Sequence, residues 1–152
     1  MRTVFLGTPE IALPSLRAMS ASMEHRPLAV FTQPMARRSR RGEPEPSPVG
    51  AVARELGLPV HEVEKVSEGA PLAELVRLRP DVIVVVAFGQ MLKRAVLELP
   101  RHGALNFHPS MLPAYRGAAP VQRAVLEGVV DSGLTIMRLV KKMDAGPILL
   151  QR

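Results

Sequence analysis

Three side chains in this 152-residue sequence could share one reaction: the amide of Asn106, the imidazole of His108 and the carboxylate of Asp144. Asn106 and His108 stand two residues apart, a spacing that puts both side chains on one face of an extended chain. Pro109 follows at once and disfavours helix at His108, which keeps the segment extended. Asp144 lies in Met143-Asp144-Ala145-Gly146-Pro147, where the glycine and proline indicate a turn. An amide and an imidazole can stabilise developing negative charge, and a carboxylate beside them can orient the ring and assist proton movement. With no serine or cysteine nucleophile in the set, the trio suits transfer to an amine that serves as its own nucleophile. On spacing alone, His108 equally fits a structural hydrogen-bonding residue, and Asp144 a turn-former.

Composition narrows the chemistry further. The absence of cysteine excludes disulfides, thiolate metal sites and cysteine nucleophiles, and fits a reducing compartment. His25, His61, His102 and His108 show no metal-ligand spacing with carboxylates, so no metal is expected. No apolar stretch reaches the roughly 18 residues that cross a bilayer, and the first residues lack a signal-peptide pattern. A soluble, cytoplasmic, monomeric protein without a membrane partner is the expectation. The net charge of +6, from 20 basic and 14 acidic residues, suggests an anionic partner. Much of the excess sits in Arg37, Arg38, Arg40 and Arg41, within five positions. Without interleaved aromatics these suit phosphate contacts better than base stacking, or else form a solvated charge run.

The elements that must position the trio read as alternating strands and helices. Strands are expected at 3–6, 28–32, 59–63, 81–87, 103–106 and 133–140, with helices at 14–19, 49–56, 70–78, 91–97 and 121–127. Ser47 and Pro48 form a cap and first helical position for 49–56, and Gly57 ends that helix. The run Asp81 to Ala87 is the most hydrophobic and β-branched of all, as a central parallel strand buried on both faces requires. Residues 33–48 carry four prolines and the arginine cluster and read as a long loop. The alternation predicts one α/β domain with a doubly wound, mostly parallel, Rossmann-like sheet. Ligands of such sheets bind at the carboxyl ends of the strands, where Asn106, His108 and Asp144 fall.

Asn106-Phe107-His108-Pro109-Ser110-Met111-Leu112-Pro113, followed by Tyr115-Arg116-Gly117, resembles the signature of the folate-dependent formyltransferases, and Met143-Asp144-Ala145-Gly146 resembles their aspartate loop. Gly7-Thr8-Pro9-Glu10, Phe31-Thr32-Gln33-Pro34 and Gly117-Ala118-Ala119-Pro120-Val121-Gln122 are similar to the methionyl-tRNA formyltransferases in particular. Pro109 departs from that subfamily, which often has glycine there, and Met111 replaces a common leucine.

The resemblance implies a formyltransferase fold and transfer of a formyl group from 10-formyltetrahydrofolate to the amino group of initiator methionyl-tRNA. It implies Asn106, His108 and Asp144 as the catalytic trio, with Asn106 and His108 on the oxyanion and Asp144 orienting His108 and relaying protons. The folate is expected near Ser110, Met111, Leu112 and Pro113 and against the turn Phe88, Gly89, Gln90, Met91 and Leu92; Met91, Leu92 and Leu112 also fit core positions. The arginines at 37, 38, 40 and 41 are expected to reach the tRNA acceptor end. Family members are considerably longer, so residues 1–152 are expected to be a partial catalytic domain, without the C-terminal tRNA-binding β-barrel. Two alternatives stand beside this reading. One is a small-substrate formyltransferase acting on a glycinamide ribonucleotide or sugar nucleotide, against which Pro9 and Glu10 argue, since a phosphate-binding turn would need more glycines and free N–H groups. The other is a truncated remnant without catalysis.

Overall fold

The apolar runs of the sequence form strands and the amphipathic segments cover them. In the computed structural model, which describes residues 1–37 and 43–152, β1 (Thr3–Gly7) passes through a 3-10 turn at Glu10–Ala12 into α1 (Leu13–Ala21). Then come β2 (Pro27–Thr32), two short strands β3 (Ala36–Arg37) and β4 (Pro44–Glu45), and α2 (Pro48–Glu55). β5 (Val60–Glu62), α3 (Gly69–Leu78), β6 (Val82–Val86), α4 (Arg94–Leu97) and β7 (Ala104–His108) follow. The chain closes with α5 (Pro120–Leu126), β8 (Thr135–Arg138) and β9 (Ile148–Gln151).

The main sheet has the order β5-β2-β1-β6-β7-β8-β9. The first five strands run parallel, while β8 is antiparallel to β7, and β9 to β8. Each face carries its own core. Val4, Leu6, Phe31, Ile83, Val85 and Ala104 pack with Leu75 of α3 and Val96 of α4. On the opposite face Phe5, Val30, Val84 and Val86 pack with Leu16 of α1 and with Val49 and Val52 of α2. Successive side chains of a strand point to opposite faces, so a run buried at every position, as in β1 and β6, needs both helical layers. The sheet is therefore doubly wound and mostly parallel, as the alternation predicts.

Capping chemistry sets α2 as expected. The Ser47 side chain accepts a hydrogen bond from the Gly50 amide at 2.9 Å, Pro48 occupies the first helical position, and Gly57 leaves the helix at φ 66°.

Several expectations need correction. The segment read as one loop over 33–48 contains the antiparallel pair β3 and β4. The helix expected from Met91 begins only at Arg94, because Lys93 is extended and its amide donates to Ser67 Oγ at 3.0 Å. β7 runs two residues further than expected and includes His108 itself. β8 is shorter than the span 133–140 and reverses the sheet direction. No helix among the described residues is long and apolar enough to cross a membrane.

Candidate active site

Strand order reverses between β1 and β6: the chain builds outward on one side of β1 through β2 and β5, then returns to pair β6 on the other. Outside the carboxyl ends of strands at such a switch point, the diverging connections leave a crevice. Here it is a cleft of about 720 Å³, lined at its base by Pro9 and Glu10 after β1 and by Ala87 to Leu92 after β6. Asn106 and His108 line it from β7, and Leu139, Val140, Met143 and Asp144 from the loop after β8. Its size falls in the range of small-molecule sites.

The trio is assembled by strand register. Asn106 pairs with Val85 of β6 and Met137 of β8, and His108 pairs with Thr135. Period-two alternation puts both on the face that carries Ala104 in the core, so β7 changes from apolar to polar as it enters the cleft. His108 is buried, and its Nε2 lies 2.9 Å from the Tyr115 carbonyl oxygen. Since a carbonyl only accepts, that contact places a proton on Nε2. Its Nδ1 faces Asp144 Oδ2 at 3.7 Å, longer than a hydrogen bond, a contact that becomes an ion pair only when the ring carries a second proton. The same carboxylate oxygen accepts the Gly117 amide at 2.7 Å. Asn106 is half-buried, and its side-chain amide meets no hydrogen-bond partner among the described residues.

Two glycines and one strained residue fix the surrounding loops. Asp144 has φ 46°, a left-handed conformation that aspartate tolerates better than most residues. Gly146, two residues on, passes so close to β8 that a Cβ there would overlap the Arg138 carbonyl oxygen. The Asp144 loop can lie against the sheet only with glycine at that point. Across the cleft, Gly89 has φ 82°, and a Cβ would collide with the Gln33 side-chain amide, which donates to the Phe88 carbonyl at 3.1 Å.

A formyl transferase family match spans residues 1–152. The chain belongs to the formyl transferase family. It is 49% identical over 152 residues to a methionyl-tRNA formyltransferase of Methylococcus capsulatus, covering 100% of this chain and 49% of that protein. A methionyl-tRNA formyltransferase of Moorella thermoacetica is 47% identical over 151 residues, 99% of this chain and 48% of that protein. The chain thus spans about half the length of the curated relatives it matches. Among solved structures, phosphoribosylglycinamide formyltransferase from Bacillus halodurans superposes with TM-score 0.78 at 18% identity, covering 100% of this chain and 78% of that one. That likeness is one of fold.

Within this formyl transferase chain, the remaining residues expected at the site divide. Phe88, Gly89, Gln90, Met91 and Leu92 all line the cleft. Phe88 and Leu92 do so from the core, whereas Met91 is exposed. The Gln90 amide is engaged elsewhere, donating to the Val63 carbonyl at 2.7 Å and accepting from the Val66 amide at 2.9 Å. Ser110, Met111, Leu112 and Pro113, expected beside the folate, do not line the cleft. Buried Thr135 of β8 draws that turn toward β8 and β9: its hydroxyl donates to the Ser110 carbonyl at 2.7 Å and accepts from the Leu112 amide at 3.1 Å. Arg37 lies in β3, while Arg38, Arg40 and Arg41 fall outside the described residues. No cluster of three or more potential metal ligands occurs among the described residues.

Sequence reasoning did not single out the backbone of Tyr115 and Gly117, which contacts both His108 and Asp144. The signals there were the place of Tyr115-Arg116-Gly117 in the motif and the glycine itself, which favours the φ of 107° found at Gly117.

Proposed function

We propose that this chain is the catalytic part of an enzyme that transfers a formyl group from 10-formyltetrahydrofolate to the amino group of initiator methionyl-tRNA. The observation that carries the reading is the convergence of an unpartnered amide, a buried imidazole and a buried carboxylate at the sheet's switch point, in a chain nearly half identical to proteins named methionyl-tRNA formyltransferase.

The cleft fits a folate-type donor. It offers apolar walls from Leu97, Leu139 and Val140 for a flat heterocycle, with the turn 87–92 along one side. When bound, the folate supplies the formyl carbon. Asn106 donates its amide N–H where negative charge develops on the formyl oxygen, a role suited to a side chain without a hydrogen-bond partner among the described residues. His108 takes up the proton lost by the incoming amine on Nδ1, the ring nitrogen that Tyr115 does not engage, and passes it to the leaving nitrogen, while the Asp144 carboxylate 3.7 Å away keeps the ring oriented and balances its charge. Water is restricted around this pair because both side chains are buried. Arg37, Arg38, Arg40 and Arg41 contact tRNA phosphates.

At the end of β1, Pro9 lacks an N–H and the acidic Glu10 lines the cleft beside it, an arrangement unsuited to a ribonucleotide phosphate. The reading is tested by offering the chain 10-formyltetrahydrofolate with charged initiator methionyl-tRNA and glycinamide ribonucleotide in competition. Formylmethionyl-tRNA is the expected product; formylation of the small acceptor alone would overturn the choice of substrate.

A further inference from the structure

The backbone turn that contacts the His108 and Asp144 pair is itself tied down from outside the cleft. Tyr115 contributes its carbonyl to His108 Nε2 and Gly117 its amide to Asp144 Oδ2, at 2.9 and 2.7 Å. Both contacts are main-chain, so the pair's geometry follows wherever the backbone of 115–117 lies. That backbone is unusual, because Tyr115 has φ 56°, a conformation that β-carbon sterics disfavour for tyrosine. Something must keep it there.

The Tyr115 side chain reaches away from the cleft, where its hydroxyl donates to Glu127 Oε2 at 2.7 Å. The Arg123 guanidinium stands 5.8 Å from the centre of its ring, within cation–π range. Arg123 belongs to α5 and Glu127 is its C-terminal cap residue. Neither Tyr115 nor Glu127 lines the cleft. The Glu127 carboxylate holds the Tyr115 hydroxyl above the usual tyrosine range, first through the hydrogen bond. A second anchor works from the other side of the turn, where Ser110 Oγ donates to the Ala114 carbonyl at 2.7 Å.

We infer that Tyr115 and Glu127 form a positioning latch: their hydrogen bond to the end of α5 sets the 115–117 backbone, which in turn sets the ring of His108 and the carboxylate of Asp144. The latch rests on the proposed catalytic role of that pair. Neither residue touches substrate in this account, so their effect falls on kcat and on the state of His108, with KM for the folate unchanged. Pro120 to Leu126 thereby become part of the catalytic apparatus through the tether at their carboxyl end.

The test uses the 152-residue chain labelled with ¹⁵N-histidine, with Tyr115→Phe, Glu127→Ala and Glu127→Gln as variants. In the unaltered chain, His108 is expected to show the Nε2–H tautomer with a slowly exchanging proton. Tyr115→Phe and Glu127→Ala should each speed that exchange by about tenfold and lower kcat for formyl transfer by about three- to tenfold, the loss of one hydrogen bond. Glu127→Gln keeps an acceptor and should stay near the unaltered chain. The double variant Tyr115→Phe with Glu127→Ala should be no worse than the worse single change, since both remove one interaction. Unchanged His108 exchange in Tyr115→Phe and Glu127→Ala, with melting temperature preserved, would overturn the latch. So would equal losses in Glu127→Ala and Glu127→Gln. The NMR readout needs no substrate, so absence of formyl transfer in the unaltered chain would count against the proposed function while the exchange data still decide the latch.

Discussion

Replacing Asp144 separates its electrostatic from its structural contribution. Asp144→Asn keeps an oxygen for the Gly117 amide and a residue type that accepts the left-handed φ of 46°, but removes the charge 3.7 Å from His108 Nδ1. Two unit charges at that separation attract by about 4 kcal/mol at an effective dielectric near 20. The ring gains between half and all of a unit positive charge as it takes part in proton movement, so about 2 to 4 kcal/mol of transition-state stabilisation disappears. That corresponds to a roughly 30- to 1000-fold fall in kcat with little change in melting temperature. Asp144→Ala loses the same charge and also leaves the Gly117 amide without its acceptor and an alanine in a left-handed conformation. These add about 2 to 4 kcal/mol of destabilisation, or roughly 5 to 15 °C in melting temperature for a domain of this size. Formyl-transfer kinetics and thermal melts on both variants check the two parts. An asparagine variant within about fivefold of the unaltered kcat, or an alanine variant that melts with the asparagine variant, would refute the division.

Other perturbations follow from the same geometry. Gly146→Ala forces the Asp144 loop away from the Arg138 carbonyl and should cost about 2 kcal/mol or more of stability together with at least a tenfold loss of turnover, measurable by denaturant titration and initial rates. Asp81 is held below the usual carboxylate range, first by the Arg2 amide at 2.8 Å, against a burial effect, and then with help from the Arg101 charge. Its folded value lies below its unfolded one, so its stabilisation is present above about pH 4 and is lost as pH falls through the folded value. Asp81→Asn should therefore be less stable than the unaltered chain at pH 7, and urea titrations of the two should converge at lower pH. Replacing the four arginines at 37, 38, 40 and 41 with alanine should weaken tRNA binding and flatten the salt dependence of log Kd by roughly 0.7 to 0.9 per lost phosphate contact; a binding series in increasing salt reads this directly.

The sequence made some of this legible for definite physical reasons. A two-residue spacing in an extended chain puts Asn106 and His108 on one face whatever surrounds them, and β-branched continuity at 82–86 leaves few options besides a central strand. Strand direction was harder to see. β8 and β9 have the same short apolar character as the parallel strands, and their reversal depends on tertiary pairing with β7. Gln90 was expected beside the folate only through the resemblance, and its side-chain amide bonds the backbone of Val63 and Val66. Nor could the sequence show that the turn 110–113 is tied to β8 by Thr135, 25 residues away from Ser110, whose hydroxyl bonds the Ser110 carbonyl and the Leu112 amide. Least legible were the Tyr115 carbonyl and Gly117 amide, since every residue has such groups and side-chain identity does not reveal where they point.

In the proposed reaction the cleft at the switch point performs formyl transfer through His108. Single-turnover transfer from 10-formyltetrahydrofolate to methionyl-tRNA, run side by side with the unaltered chain and with His108→Ala, tests it most directly. The expected result is N-formylmethionyl-tRNA from the unaltered chain and a rate at least about 100-fold lower from the variant. Equal rates from the two proteins would contradict the claim and move the chemistry away from this cleft.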